Sequence, residues 1–173
     1  MRSPDRGFLA ALAALARARV EFILVGVGGI NFNAADASES VEAQDLDALL
    51  APRVEVLRTA LTALAEAGFA FEAGREAFLD IADEATLRNE LARGATLQAR
   101  DESSAQLDLM TSGLGLCFDD LASDAVTFRL GEVEVRVGPL EKLLRAKELA
   151  GRPKDVEFLR LYAAQLREQA GEG

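Results

Sequence analysis

Apolar residues recur along this chain in two rhythms, helical and alternating, and the changes between them mark its elements. An amphipathic stretch over residues 4–17, centred on Phe8, Leu12 and Leu15, predicts a first helix. The β-branched and aromatic run Val20, Phe22, Ile23 and Val25 then predicts a strand over 21–26. Gly28 and Gly29 allow a tight turn or a close backbone approach ahead of a short helix at 30–33. Residues 34–44, with Asp36, Ser38, Glu39 and Ser40, form a polar loop able to fold over a ligand. A second apolar strand is expected at 45–50. Pro52 follows at a first helical position, then Val54, Leu57, Leu61 and Leu64 at helical spacing, with Gly68 closing the helix. Residues 69–71 and 77–81 suit short strands or turns, and 84–91 a helix stopped by Gly94. Strands are expected at 97–100 and 106–110, joined through the polar 101–104 reversal, and at 126–130 and 133–137, joined at Gly131 and Glu132. Two helices close the pattern, from beyond Pro139 to 149 and from Pro153 to about residue 167, with Gly151 as the stop between them.

Composition narrows what such a chain can do. At 173 residues, half of them hydrophobic, it can bury one sizeable core, so one domain spanning 1–173 is expected. The net charge of −10 argues against a broad footprint on nucleic acid or an anionic membrane, because phosphate contacts need clustered Lys and Arg. One cysteine, Cys117, and no histidine exclude intrachain disulfides, Cys/His zinc sites and Ser-His-Asp triads. Any metal would therefore sit on oxygen, which favours Mg, Mn or Ca. The opening residues faintly resemble a signal peptide, but the apolar run is short and Arg17 and Arg19 stand where a cleavage site would be. With no run of about 18 apolar residues and a lone cysteine, a cytoplasmic, membrane-free protein is expected.

The chemistry lies in three acids set among apolar residues. Asp45 and Asp47 are two residues apart in one expected strand, which puts both carboxylates on one face beside the Gly26, Val27, Gly28 turn. Asp108 sits between Leu107 and Leu109 in another strand. Burying such charges alone costs several kcal/mol, roughly, so a compensating partner is required. If the strands are neighbours, three carboxylates converge on a place for two Mg ions and a polyphosphate. The bland reading treats them as solvated or salt-bridged strand-end residues.

A strand ending in Leu24, Val25 and Gly26, a helix carrying Ile30, Asn31 and Phe32, a loop, Asp45-Leu46-Asp47, then Leu107-Asp108-Leu109, and an ending with Lys147, Arg152, Lys154 and Asp155 resemble the nucleotidyltransferase superfamily. The likeness is to its small bacterial members, the minimal and abortive-infection-type toxin nucleotidyltransferases, and covers residues 20–162. The resemblance implies an α/β (α+β) fold, a mixed sheet flanked by helices with a core at about 20–137 and C-terminal helices at about 139–168. It implies Mg2+ (or Mn2+) and a nucleoside triphosphate such as ATP, with transfer of a nucleotidyl group to an acceptor hydroxyl on a protein, RNA or small molecule. Asp45, Asp47 and Asp108 would be the catalytic metal ligands, with Asp108 also a base. Gly26, Val27 and Gly28 would face the phosphates, with Lys147 and Arg152 assisting.

Two departures keep a second reading open. The family's turn places Gly or Ser after the first glycine, where this chain has Val27, and an Arg and Thr usually precede the acidic pair, where it has Val41, Glu42, Ala43 and Gln44. Either change suits a degenerate, non-catalytic binding module, or one half of a toxin–antitoxin pair with a partner protein. In the C-terminal helices, Lys147 falls on the face of Leu140, Leu143 and Leu144, and Asp155 on that of Leu159, Tyr162 and Leu166. Lys147 would touch a phosphate or be neutralised by Asp155, and Arg152 suits either role. Cys117 reads as a core or loop residue and Tyr162 as packing.

Overall fold

The computed structural model describes residues 6–33, 45–113 and 115–171. The expected loop at 34–44, with Val41, Glu42, Ala43 and Gln44, lies outside them, as do residues 1–5. Within the described residues the chain is a mixed α/β structure: α1 (Arg6–Arg17), β1 (Phe22–Val25), α2 (Gly26–Phe32), β2 (Leu46–Leu50), α3 (Val54–Glu66), β3 (Ala70–Ala73), β4 (Glu76–Ala77), α4 (Glu84–Arg93), β5 (Thr96–Arg100), β6 (Gln106–Met110), α5 (Phe118–Ala122), β7 (Val126–Leu130), β8 (Val133–Val137), α6 (Leu140–Ala150) and α7 (Pro153–Gly171). The strands form one sheet in the order β4-β3-β5-β6-β2-β1-β8-β7. It is mixed: β2 runs parallel to β6 and β1 to β8, while β1 and β2 are antiparallel.

The central strands are apolar on both faces because helices cover them. All four residues of β1 are buried, and in β2 only Asp47 is not fully so. The helices fall into two packed groups, α1 with α3 and α4, and α2 with α6 and α7. α1 sinks Ala11, Leu12 and Leu15 into the core, as an amphipathic helix does. α4 starts at Asp83, whose side chain accepts from the Thr86 N–H at 3.0 Å, and stops at Gly94 with φ +61°.

Several boundaries differ from the sequence pattern. α2 begins at Gly26, so Gly28 and Gly29 are helix interior and not a turn. A Cβ on Gly28 would lie 2.6 Å from Leu46 Cδ2, and one on Gly29 2.9 Å from the Leu24 carbonyl oxygen, so these glycines serve close helix–strand packing. Pro52 precedes the cap, Arg53, and does not open α3. Gly68 stands one residue beyond the C-cap Ala67, with φ +93°. Residues 78–82 carry no strand beyond β4, and Cys117 caps α5 as an exposed residue outside the core.

Candidate functional site

The register of the central strands brings the acids together. β2 and β6 pair in parallel with Asp47 opposite Asp108, so the two side chains stand beside each other on one face of the sheet. Asp45 lies just before β2 and not within it, two residues from Asp47, and its charge acts on both other carboxyls. Asp45, Asp47 and Asp108 all line one cleft of about 430 Å³. Gly26 and Val27 close its near end. Gly26 has φ +64°, and a Cβ there would fall on Asp47 Oδ2, so only glycine leaves that oxygen its place. Gly28 is not in the lining; it is buried beneath Leu46.

The opposite wall is helical and cationic. α6 contributes Lys147, and the Gly151 turn into α7 brings Arg152, Lys154 and Asp155 to the same cleft. Asp155 is fully buried and takes hydrogen bonds from Lys147 Nζ at 3.1 Å and from Arg152 Nε and Nη2 at 2.5 and 3.2 Å. Lys147 Nζ also stands 4.7 Å from the centre of the Phe158 ring, which Tyr162 flanks at 5.2 Å. Of the two roles open to Lys147, the pairing with Asp155 is formed, and the ammonium still borders the cleft.

The electrostatics of the two walls differ. Burial foremost, then the charges of Asp45 and Asp108, push the Asp47 carboxyl from its ordinary 3.8 up to about 6, against Lys147 and Lys154. Burial also raises Asp108, opposed by a hydrogen bond from Gln106 Nε2 at 2.8 Å and by Arg100. Burial would raise Asp155 too, but hydrogen bonds from Arg152 and Lys147 outweigh it and hold that carboxyl below its usual range. Arg152 is driven further toward its charged form, chiefly by Asp155 and additionally by Asp47.

The site thus suits an oxygen-bound divalent cation on the acid wall and an anion against the cations. Its donors are all carboxylate oxygens, and their mutual repulsion is what such a cation relieves. Among the described residues, no group of three or more His, Cys, Asp or Glu side chains is arranged so that it could hold a metal ion. Lys154 belongs to the sequence run that carries the resemblance but is given no site role there; its action on Asp47 is visible only in three dimensions.

The chain matches no protein-family model and no curated protein. Among the described residues, no helix is long and apolar enough to cross a membrane.

Proposed function

We propose that this protein has the nucleotidyltransferase fold and, with Mg2+ or Mn2+, transfers a nucleotidyl group from a nucleoside triphosphate to an acceptor hydroxyl. The observation that carries the reading is the in-register pair Asp47 and Asp108, with Asp45 beside them, across a cleft from Lys147, Arg152 and Lys154. Three carboxylates and three cations lining one cleft match a ligand that is a metal-bound polyphosphate better than a neutral molecule.

In this reading Asp45, Asp47 and Asp108 hold the metal, and Gly26 keeps the approach to Asp47 open. A bound divalent cation supplies charge stabilisation to the phosphoryl oxygens. Lys154, Arg152 and Lys147, the last two anchored by Asp155, would contact the phosphate oxygens. The acceptor oxygen forms a bond to the α-phosphorus as the bond to the bridging α–β oxygen breaks, and pyrophosphate leaves. Asp108 receives the hydroxyl proton. Positioning supplies much of the barrier reduction, because both reactants are held in one geometry.

A second reading, a binding or regulatory module without turnover, draws on Val27, whose side chain borders the cleft where the family carries glycine or serine. It would act through a partner protein, as in a toxin–antitoxin pair. Calorimetric titration of each nucleoside triphosphate, with and without Mg2+, into the wild type and Asp45→Asn/Asp47→Asn tests the main proposal. Metal-dependent binding lost in the variant is expected, by about 100-fold or more. Absence of binding to the folded wild type would overturn it.

A further inference from the structure

Asp108 meets the cleft with one of its oxygens already engaged. Gln106, two residues earlier on β6 and therefore on the same face, donates from Nε2 to Asp108 Oδ1 at 2.8 Å. An ionised carboxylate only accepts hydrogen bonds, so the amide nitrogen and not the amide oxygen must face it. The antiparallel register of β5 and β6 sets Arg100 beside Gln106 and Gln98 beside Asp108, while the parallel register on the other side sets Asp47 beside Asp108. Gln106 is half-buried and uncharged, which separates this contact from the Lys147 and Arg152 pairs on Asp155. A neutral donor fixes the orientation of a carboxylate without cancelling its charge.

Fixing Oδ1 changes what Asp108 can offer a cation. Ca2+ takes about six to eight oxygens and often uses both oxygens of a carboxylate, whereas Mg2+ demands octahedral positions that it fills through one or two carboxylates, waters and the phosphates of its substrate. The described residues include no group of three acids arranged to hold a metal ion; what the register supplies is the pair Asp47 and Asp108. Such a pair, with one member held by an amide at Oδ1, is a poor cage for Ca2+ and sufficient for Mg2+ that arrives on a polyphosphate.

We infer that Gln106 is a positioning residue that limits Asp108 to ligation through Oδ2 and thereby selects Mg2+ over Ca2+ at this site. The inference rests on the nucleotidyltransferase reading for the metal-bound triphosphate, and goes beyond it in naming what sets the identity of the metal. Gln106 is outside the cleft lining and acts through Asp108. Without the donor, Asp108 can turn and present both oxygens, so Mg2+ loses a preset ligand and Ca2+ gains one of the kind it favours.

The test uses the whole chain and a nucleoside triphosphate analogue with a methylene group bridging the α- and β-phosphorus, titrated calorimetrically in metal-free, Mg2+-loaded and Ca2+-loaded form. Gln106→Met keeps the length of the side chain and removes the donor. The wild type should bind the Mg2+-loaded analogue more tightly than the Ca2+-loaded one, and Gln106→Met should shrink that preference by about tenfold, mainly through weaker binding of the Mg2+ form. Gln106→Glu, which keeps the shape and also lacks the donor, should shrink it at least as far. Affinity for the metal-free analogue should be equal in the wild type and Gln106→Met, which also shows that the variant folds. A wild type without preference for Mg2+, variants with the wild-type preference, or a loss in metal-free binding as large as the loss with Mg2+ would each overturn the role of Gln106 while the nucleotide site stands. A wild type that binds the analogue in none of its three forms removes the underlying reading, and the role of Gln106 with it.

Discussion

Asp47 on the strand wall and Asp155 on the helix wall are carboxylates facing one cleft, yet the fold treats them in opposite ways. Asp155 is completely buried and still held in its charged form, because Lys147 and Arg152 both donate to it. Asp47 is less buried yet is pushed toward neutrality, first by its burial and then by the charges of Asp45 and Asp108, with no cation hydrogen-bonded to it among the described residues to offset them. Depth alone does not decide the state of a buried acid; the sign of its neighbours does. Asp155 has its counter-charges within the helix wall, whereas the acids of the strand wall act chiefly on one another.

The largest effect should come from breaking the helix wall. Asp155→Ala leaves two cations facing each other in the α6–α7 contact and should cost about 3 kcal/mol, read from urea denaturation, with Asp155→Asn losing less. An Asp155→Ala protein as stable as the wild type would mean that the triad contributes nothing to holding the helices.

The strand wall should respond in the opposite direction. Asp47 titrates at about 6 in the fold against an ordinary 3.8, so between those values the native state holds more protons than the unfolded chain. Stability of the metal-free protein should therefore fall as pH rises through that window and stay low above it. Asp47→Asn should stabilise the metal-free protein at pH 7 by an amount on the order of 2 kcal/mol, a gain that vanishes near pH 4. Thermal unfolding across pH in chelator measures this, and a variant less stable at pH 7 would show that the acids do not repel.

Gly26→Ala probes the join between the two walls. A Cβ at φ +64° is strained and falls on Asp47 Oδ2, so a loss of roughly 1–2 kcal/mol in stability is expected together with weaker Mg2+ binding. Unchanged Mg2+ affinity would place the binding oxygens elsewhere. The smallest effect belongs to Lys154, which is exposed and outside the Asp155 pairs. Lys154→Ala should weaken triphosphate binding about fivefold while leaving stability within about 0.5 kcal/mol. Equal affinity in the variant would remove Lys154 from the ligand-facing wall.

Local pattern carried most of the element order. The alternation around Asp47 and Asp108, the Gly94 and Gly151 stops and the Gly131 hairpin turn are properties of a few adjacent residues, and each appears in the fold near its expected place. The glycine pair after Gly26 offered two readings, a turn or a close backbone approach, and the fold takes the second. The missing side chains of Gly28 and Gly29 serve the approach of Leu46 and the β1 backbone to α2, a contact that only the tertiary structure selects.

What the sequence determined by itself was the kind of chemistry available: no histidine, one cysteine, and acids set singly among apolar residues. Tertiary structure alone decided that Asp47 meets Asp108 in register, because a parallel pair joins segments about sixty residues apart whose alignment depends on the whole sheet. It also decided which of two partners Lys147 takes. That choice turns on the Gly151 bend folding α7 back onto α6, where the fully buried Asp155 finds one cation on α6 and one in the turn itself.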